Sequence, residues 1–257
     1  MRTVLVVGIG AGDPSHLTAE AIAGLRRADV LFEVDRDTVD LTALRREICG
    51  AHLGAPPPTV RIDEPRRDRG AADYSAAVTV WREQRAEAWQ CVIAGLDEHG
   101  VGAFLVWGDP SLYDSTLAVL DEIASRGEVA FQREVIPGIS SVHALTARHG
   151  IALNRIGSAV QITTGRRLAR FGLPAGVADV VVMLDGRCAF TTISEPGVEI
   201  YWGAYLGTPD ELLISGPVGQ VATKIVAERN AARTRKGWVM DCYLLRRSLD
   251  DDGEPPS

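Results

Sequence analysis

Three apolar segments of the chain each run directly into a glycine-containing loop, and a segment with helical periodicity follows each loop. The three stretches are VLVVGIGAGDP from Val4, AFLVWGDP from Ala103 and REVIPGIS from Arg133. Apolar strands that alternate with helices are typical of a parallel sheet covered by helices on both faces. The carboxyl ends of such strands lie at one edge of the sheet, where ligands bind. The pattern therefore predicts an α/β chain whose ligand site is built from these loops.

The spacing of strands and helices changes near residue 153, which predicts two α/β domains. Over residues 1–152 strands alternate with helices, as expected for a mainly parallel sheet. One long helix is predicted over 73–99, with Trp81 and Trp89 as core or interface residues rather than ligand platforms. Over residues 153–246 the strands follow one another more closely, which predicts a mixed sheet. The acidic, proline-containing stretch 247–257 is predicted to be disordered.

The net charge, apolar runs, cysteines and histidines of the chain disfavour several classes of protein and of binding site. A net charge of −7 disfavours binding to nucleic acid or to an anionic membrane surface. No apolar stretch approaches the roughly 20 residues that span a bilayer. The four scattered cysteines indicate reduced, mostly packed thiols and a cytoplasmic location. No metal is expected, because His143 and His149 lack nearby cysteine or glutamate partners at ligand spacing.

The first loop has the glycines of a dinucleotide-binding loop but departs from its pattern. Its glycines are Gly8, Gly10 and Gly12, whereas the G-x-G-x-x-G pattern would also require glycine where the chain has Asp13. Pro14 disfavours the helical conformation at Asp13, so the helix is expected to begin later, with Ser15 or Thr18 as its N-cap.

Two alternatives stay open on this loop. Glu33 ends the second predicted strand, where an acidic residue could bind a ribose, so an NAD-dependent oxidoreductase is one of them. A nucleotide-sensing module without catalytic activity is the other. Neither a phosphate-binding G-x-x-x-x-G-K loop nor a G-x-S-x-G nucleophile elbow is present in the sequence.

Taken together, the three loops resemble those of the tetrapyrrole methyltransferases, the class III S-adenosylmethionine-dependent methyltransferases. The segments that carry the resemblance are GIGAGDPSHLT, WGDPSLY and VIPGISSVHALTARHGIAL. The resemblance covers nearly the whole chain. It implies two α/β domains, S-adenosylmethionine bound in the cleft between them, a precorrin-type tetrapyrrole substrate and a homodimer.

Further segments resemble one branch of this family in particular. They are VWGDPSLYDST, ITTGRR, VVMLDG, WGAYLGTPDELLISGP and GWVMDCYLLRR. The implied reaction is methylation of precorrin-5 at C-1 with release of acetate, giving precorrin-6A in aerobic cobalamin biosynthesis. A corrin-ring C-methyltransferase with another target carbon is the alternative within the family.

The resemblance also implies which residues bind the cofactor. Those expected to line its site are Ala11, Trp107, Gly108, Asp109, Leu112, Ser140, Ser141, Leu184 and Gly207. Ala11 stands where many relatives have proline, in a loop that is expected to border the tetrapyrrole as much as the cofactor.

The implied reaction sets two further requirements. Deacetylation needs an activated water and a stabilised oxyanion, for which Tyr113, Asp114 and His143 are candidates; Asp114 is equally well placed to cap the following helix. The substrate carries carboxylates, which arginine binds in a bidentate manner. The candidate arginines are Arg155, Arg166, Arg167 and Arg187 in the second domain and Arg66, Arg67 and Arg69 in the first.

Overall fold

The computed structural model of the chain describes residues 1–34, 39–65 and 74–248. These residues form two compact units, one of Met1–Ser140 and one that begins at Ser141. We call them the first and second units. The domain limits expected from the sequence, at 152/153 and 246/247, stay a prediction.

The first unit is built on a five-stranded sheet in which every strand pair is parallel, in the order β3-β2-β4-β1-β5. Its strands are β1 (Arg2–Gly8), β2 (Val30–Val34), β3 (Thr59–Ile62), β4 (Val101–Val106) and β5 (Phe131–Ile136). Its helices are α1 (Ala19–Arg27), α2 (Val39–Leu53), α3 (Tyr74–Ala94) and α4 (Thr116–Arg126).

The central strand β1 explains why its sequence is continuously apolar. Val4 and Val6 pack into a core cluster with Trp89 and Phe104, and the alternate residues of β1 pack into a second cluster on the other side of the sheet. Successive strand residues point to opposite faces, so a strand covered on both faces needs apolar side chains at every position.

The long helix and the core position of Trp89 agree with the sequence prediction, whereas the helix ends differ and Trp81 lies outside the core clusters. Helix α3 spans Tyr74–Ala94, and residues 95–99 lie beyond it. Trp89 is fully buried in the core, whereas Trp81 is half-buried and donates a hydrogen bond from Nε1 to the Pro65 carbonyl oxygen at 2.9 Å. Helix α2 was not predicted. Residue 73, like Arg66, Arg67 and Arg69, lies outside the described residues.

The second unit contains the mixed sheet that the sequence predicts, in the order β6-β7-β10-β8-β9. Its strands are β6 (Val160–Thr164), β7 (Asp179–Met183), β8 (Glu199–Ala204), β9 (Leu212–Pro217) and β10 (Asp241–Arg246). Its helices are α5 (Ser141–His149), α6 (Gly165–Phe171) and α7 (Val218–Lys236). Strands β6 and β7 are parallel, and the other three pairs are antiparallel.

Contacts at the two ends of the second unit extend beyond the predicted limits. Helix α5, which the sequence prediction assigned to the first domain, packs against β8, β9 and β10. Arg247, the first residue of the predicted disordered stretch, is buried and forms a two-pronged ion pair with Glu195 at 2.7 and 2.9 Å. Residues 249–257 lie outside the described part of the chain.

The helices and the cysteines can be compared with what the composition predicts. Across the described residues, no helix has the length and apolar character that a membrane crossing requires. All four cysteines are free thiols: Cys49 and Cys242 are buried, Cys188 is half-buried and Cys91 is exposed.

Candidate functional site

Three glycines pack backbone against backbone at the carboxyl edge of the first sheet. They are Gly8, Gly108 and Gly138, which follow or end β1, β4 and β5. A Cβ atom built on Gly8 would lie 2.6 Å from the Gly138 amide nitrogen and 2.8 Å from the Gly108 carbonyl oxygen. A Cβ on Gly138 would collide with that same oxygen. The glycines let three loops meet in a space that no side chain could share.

Hydrogen bonds hold the three loops together. Gly108 has a φ of 66° and donates to the Gly10 carbonyl oxygen at 2.8 Å, which joins the loops after β4 and β1. Asp109 accepts a hydrogen bond from the Gly138 amide at 2.9 Å, which joins the loops after β4 and β5. Its other carboxylate oxygen accepts from the Ser111 amide at 2.9 Å. Asp109 is therefore fixed by its own loop and by its neighbour.

The first loop differs from a dinucleotide-binding loop as the sequence predicts. A 3-10 turn at Pro14–His16 follows the glycines, and α1 begins only at Ala19. Thr18 is the N-cap and accepts from the Ala21 amide at 3.0 Å. The delay removes the close approach of a helix N-terminus to the glycine loop that a pyrophosphate would require.

The remaining first-unit residues expected at the cofactor site lie in these same loops. Ala11 and Ser140 are buried, and Trp107 and Leu112 are half-buried. Ser141, the next residue after Ser140, begins α5 in the second unit.

The three predicted catalytic residues have different surroundings. Tyr113 has a φ of 53° and is 46% exposed. Asp114 accepts a hydrogen bond from the Thr116 amide at 2.6 Å, but the N-cap of α4 is Ser115, so Asp114 closes the turn before the helix and does not cap it. His143 is exposed on α5 of the second unit, whereas Tyr113 and Asp114 belong to the first.

A cavity of about 400 Å³ lies within the first unit, at the carboxyl ends of β2 and β4. We call it the Arg45 cavity. Its charged lining residues are Glu33, Arg45, Arg46, Arg85 and Asp114. Its apolar walls include Phe32, Val34, Trp89, Phe104, Val106 and Trp107.

Arg45 is the half-buried cation of this cavity. Its Cζ lies 5.3 Å from the centroid of the Trp107 ring. Burial lowers the pKa of Arg45 to about 10, while the nearby carboxylates Glu33 and Asp114 act in the opposite direction. The side chain is therefore cationic at neutral pH, in surroundings where its charge is poorly screened by water.

The cavity wall contains a buried ion pair. Arg85 donates from Nε to Glu64 Oε1 at 2.7 Å and from Nη1 to Ser115 Oγ at 2.8 Å. Trp89 donates to the same glutamate oxygen at 2.6 Å. This network joins β3's end, α3 and the start of α4, and so fixes the backbone next to Asp114.

Sequence reasoning missed the arginines of this cavity. Arg45 and Arg46 lie on α2, the helix that was not predicted. The available signal was the length of chain between β2 and β3, which is long enough for a crossover helix beside the Glu33 strand end.

In the second unit, the two residues expected to bind the cofactor, Leu184 and Gly207, follow strands that end at the same edge of the sheet. The register places Met183 opposite Cys242 and Ala204 opposite Asp241, at neighbouring positions of β10. Leu184 follows β7 with a φ of 54° and is 65% exposed. Gly207, after β8, has a φ of 77° and donates its amide to Glu211 at 2.7 Å.

A buried network holds the turn at Leu184. The Asp185 carboxylate accepts from the Tyr243 hydroxyl at 2.7 Å, the Ala189 amide at 2.6 Å and the Arg187 amide at 3.0 Å. Burial and the adjacent Asp185 raise the pKa of Tyr243, which keeps the hydroxyl protonated as a donor. A Cβ on Gly165 would collide with Asp185, which explains the glycine at the start of α6.

Only some of the predicted carboxylate-binding arginines come together. Arg166 and Arg167 line a second cavity, of about 480 Å³, with Arg170 and the exposed Phe171 and Leu184. We call it the Phe171 cavity. The Cζ atoms of Arg167 and Arg170 lie 5.2 and 4.9 Å from the Phe171 ring centroid.

The other two predicted arginines lie elsewhere. Arg187 is exposed after β7. Arg155 lies at the opposite edge of the sheet, where its amide donates to Asp179 at the start of β7 at 3.2 Å and its Nη2 donates to the Arg247 carbonyl oxygen at 2.8 Å. The structure therefore does not group Arg155 with the others, and its contacts join the start of β7 to the residue that follows β10.

Comparison with known proteins identifies the family. A model of the tetrapyrrole (corrin/porphyrin) methylases matches residues 3–222. A precorrin-6A synthase (deacetylating) of Sinorhizobium sp. is 46% identical over 256 residues, which cover 98% of this chain and 98% of that protein.

Solved structures give the same result. A Corynebacterium diphtheriae protein described as related to cobalamin synthesis (CobF) is 40% identical, with a TM-score of 0.82, over 96% of this chain and 99% of that one. A uroporphyrin-III C-methyltransferase from Thermus thermophilus has the same fold at 22% identity, with a TM-score of 0.60, over 95% of this chain and 91% of that one. The match to the family model and the 46% identity over nearly the whole chain show that the chain belongs to the tetrapyrrole (corrin/porphyrin) methylase family.

Proposed function

We propose that the chain is a precorrin-6A synthase of the deacetylating type. It methylates precorrin-5 at C-1, using S-adenosylmethionine, and releases acetate in cobalamin biosynthesis. The observation that carries this proposal is 46% identity to a precorrin-6A synthase over nearly the full length of both chains. The NAD-dependent alternative is not favoured, because the first loop and α1 lack the pyrophosphate-binding geometry.

The residues of the glycine loops fit S-adenosylmethionine. Gly8 and Gly138 let the loops after β1, β4 and β5 come into backbone contact, and Asp109 joins the loops after β4 and β5. We expect Gly108, Gly138 and Asp109 to bind the cofactor together with Ala11, Trp107, Leu112, Ser140 and Ser141 and, in the second unit, Leu184 and Gly207. The bound cofactor supplies an electrophilic methyl group. The chain's own contribution is to orient the substrate carbon and to exclude water.

The Phe171 cavity fits the substrate's chemistry. Three arginines surround an exposed phenylalanine and an exposed leucine. A precorrin combines an apolar macrocycle with carboxylate side chains, and this cavity offers a surface for each. The local arginines also explain how an acidic chain can bind a polyanionic substrate. We assign Arg166 and Arg167 to substrate carboxylates, with Arg187 as a further candidate, and leave Arg155 out.

Anaerobic incubation with precorrin-5 and methyl-labelled S-adenosylmethionine tests the function. We expect labelled tetrapyrrole and free acetate in equal amounts. Labelled tetrapyrrole without acetate would instead indicate a corrin-ring methyltransferase with another target carbon. Sedimentation of the same preparation tests the proposed homodimer, which predicts twice the mass of the 27.6 kDa chain.

A further inference from the structure

We propose that the Arg45 cavity is the place where the acetyl group of the substrate is hydrolysed. In this proposal Arg45 binds the oxyanion that forms on the acetyl carbonyl, and Asp114 accepts a proton from the attacking water. The inference rests on the proposed function and assigns the deacetylation half of it to residues of the first unit.

The position of the cavity supports a shared reaction centre. Trp107 forms part of its wall and immediately precedes Gly108, the glycine of the proposed cofactor loop. Asp114 lies on the same connection between β4 and α4. The β4–α4 connection therefore carries both part of the proposed methyl-donor site and the carboxylate that would activate water, and α2 supplies Arg45.

Arg45 has the properties that an oxyanion-binding group requires. It is half-buried, cationic and placed over the Trp107 ring at 5.3 Å. A guanidinium carries five N–H donors, and its attraction for a developing negative charge grows as water is excluded. The neighbouring Glu33 and Asp114 carboxylates keep it charged despite its burial.

Asp114 can hold the turn before α4 and activate water at the same time. Its Oδ1 accepts from the Thr116 amide, which fixes the orientation of the carboxylate. A carboxylate has about four acceptor positions, so the second oxygen can still hold a water. Glu33, the other carboxylate of the lining, is already engaged in an ion pair with Arg46 at 3.7 Å.

The cavity has a size and wall composition suited to this step. Its volume of about 400 Å³ is within the range of small-ligand sites, which run from about 300 to 1,000 Å³. The aromatic and aliphatic walls would exclude bulk water from the intermediate. The Arg85–Glu64 pair holds the wall in place with its charges mutually compensated.

The bonds and charges of the step balance. The water oxygen forms a bond to the acetyl carbonyl carbon, and one water proton moves to Asp114. When the oxyanion collapses, the bond between that carbon and C-1 breaks and acetic acid leaves. The electron pair of the broken bond stays on C-1, where it would form the new bond to the methyl carbon, while the bond from that carbon to the donor sulfur would break and S-adenosylhomocysteine would leave. Asp114 then returns its proton to solvent.

The test replaces Arg45 and measures both products. We expect Arg45→Gln to lower kcat for acetate release by about 10²–10³-fold, as removal of an oxyanion donor does. The KM for precorrin-5 and the affinity for S-adenosylhomocysteine should stay within about threefold of wild type. Arg82→Gln, which makes the same change at an exposed position of α3, is the matched control.

Two further variants separate catalysis from folding. Asp114→Asn should slow acetate release by about 10²–10⁴-fold with an unchanged melting temperature, because the asparagine side-chain oxygen can accept the same hydrogen bond from the Thr116 amide. Arg45→Ala should regain acetate release when guanidinium ion is added at millimolar concentration, and Asp114→Asn should not. A purely structural role for Arg45 predicts no such rescue.

Several outcomes would overturn the inference. Near-wild-type acetate release by Arg45→Gln, or by Asp114→Asn, removes that residue from the hydrolysis. A raised KM with unchanged kcat makes Arg45 a binding residue only. If Arg45→Gln does not fold, two other variants replace it. Arg45→Lys should retain part of the acetate release, and Arg45→Ala should regain it with added guanidinium ion; if neither does, the assignment of Arg45 is wrong. Failure of the wild-type protein to release any acetate would count against the proposed function itself rather than against this assignment.

Discussion

Single residues at the carboxyl edge of the first sheet show why glycine recurs in the loops. Gly8 and Gly138 face each other across a gap that the Gly108 carbonyl oxygen already occupies. Their neighbours are backbone atoms, which cannot rotate away as a side chain can. The glycines are therefore required by close approach between loops as well as by any bound ligand.

Gly138→Ala tests this packing. The added methyl group would meet backbone atoms of Gly8 and Gly108, so we expect the free energy of unfolding to fall by about 1–3 kcal/mol. Affinity for S-adenosylhomocysteine should fall as well. Gly50→Ala is the control, because a Cβ there meets nothing within 4 Å on α2 and should be neutral or stabilising. Urea denaturation and calorimetry measure the two effects, and equal stability for both variants would contradict the packing argument.

At the scale of elements, polar side chains join strands and helices that are distant in sequence. Tyr243 of β10 reaches Asp185, which follows β7, across 58 residues. His149 ends α5 and donates from Nε2 to the Trp202 carbonyl oxygen of β8 at 3.1 Å. These contacts decide how the loops after the strands are held, because each buried polar group must find a partner.

Tyr243→Phe should loosen the turn at Leu184. The variant removes one of three donors to the buried Asp185 carboxylate, so we expect a loss of about 1–3 kcal/mol in the free energy of unfolding. Weaker binding of S-adenosylhomocysteine should accompany it. Tyr201→Phe removes a comparable hydroxyl bond to Glu199 at an exposed site and should cost less. Unchanged ligand affinity in Tyr243→Phe would separate the network from the cofactor site.

His149 gives the fold an acid sensitivity of known sign. Burial lowers the pKa of His149, so the unfolded chain takes up a proton at a higher pH than the folded chain does. The contribution to stability is complete above the unfolded value of about 6.5 and is lost as the pH falls through the lowered folded pKa. We expect the drop in melting temperature between pH 7.5 and 5.5 to be smaller in His149→Gln than in wild type. An equal drop would place the acid sensitivity elsewhere.

At the scale of the whole molecule, each unit has its own sheet and its own core. The first unit buries two clusters on the two faces of its parallel sheet, and the second buries a large cluster that includes Trp202, Phe190 and Tyr243. Ligand binding then adds to the stability of the native state by mass action.

Thermal unfolding with added ligands tests the molecule as a whole. S-adenosylhomocysteine at 100 times its dissociation constant should stabilise the protein by about 2.7 kcal/mol, and NAD at the same concentration should have no effect. ATP serves as a second nucleotide control. Stabilisation by NAD alone would contradict both the cofactor assignment and the interpretation of the first loop.

The local features of this protein follow from its sequence alone. The apolar run of β1, the delayed start of α1 after Asp13 and Pro14, and the glycine turns depend on neighbouring residues, whose conformational preferences can be read along the chain. Residue types expected at the site could also be named from resemblance, because they belong to these local turns.

Only the tertiary structure decided which of those residues meet. Asp109 reaches Gly138 across 29 residues, Arg45 lies over Trp107, and Arg155 lies at the far edge of its sheet from Arg166. Such contacts depend on strand order and helix packing, which bring together segments that have no local signal for each other. Helix α5 packs on the second sheet for the same reason: the strands it contacts come later in the chain, so its own periodicity cannot reveal them.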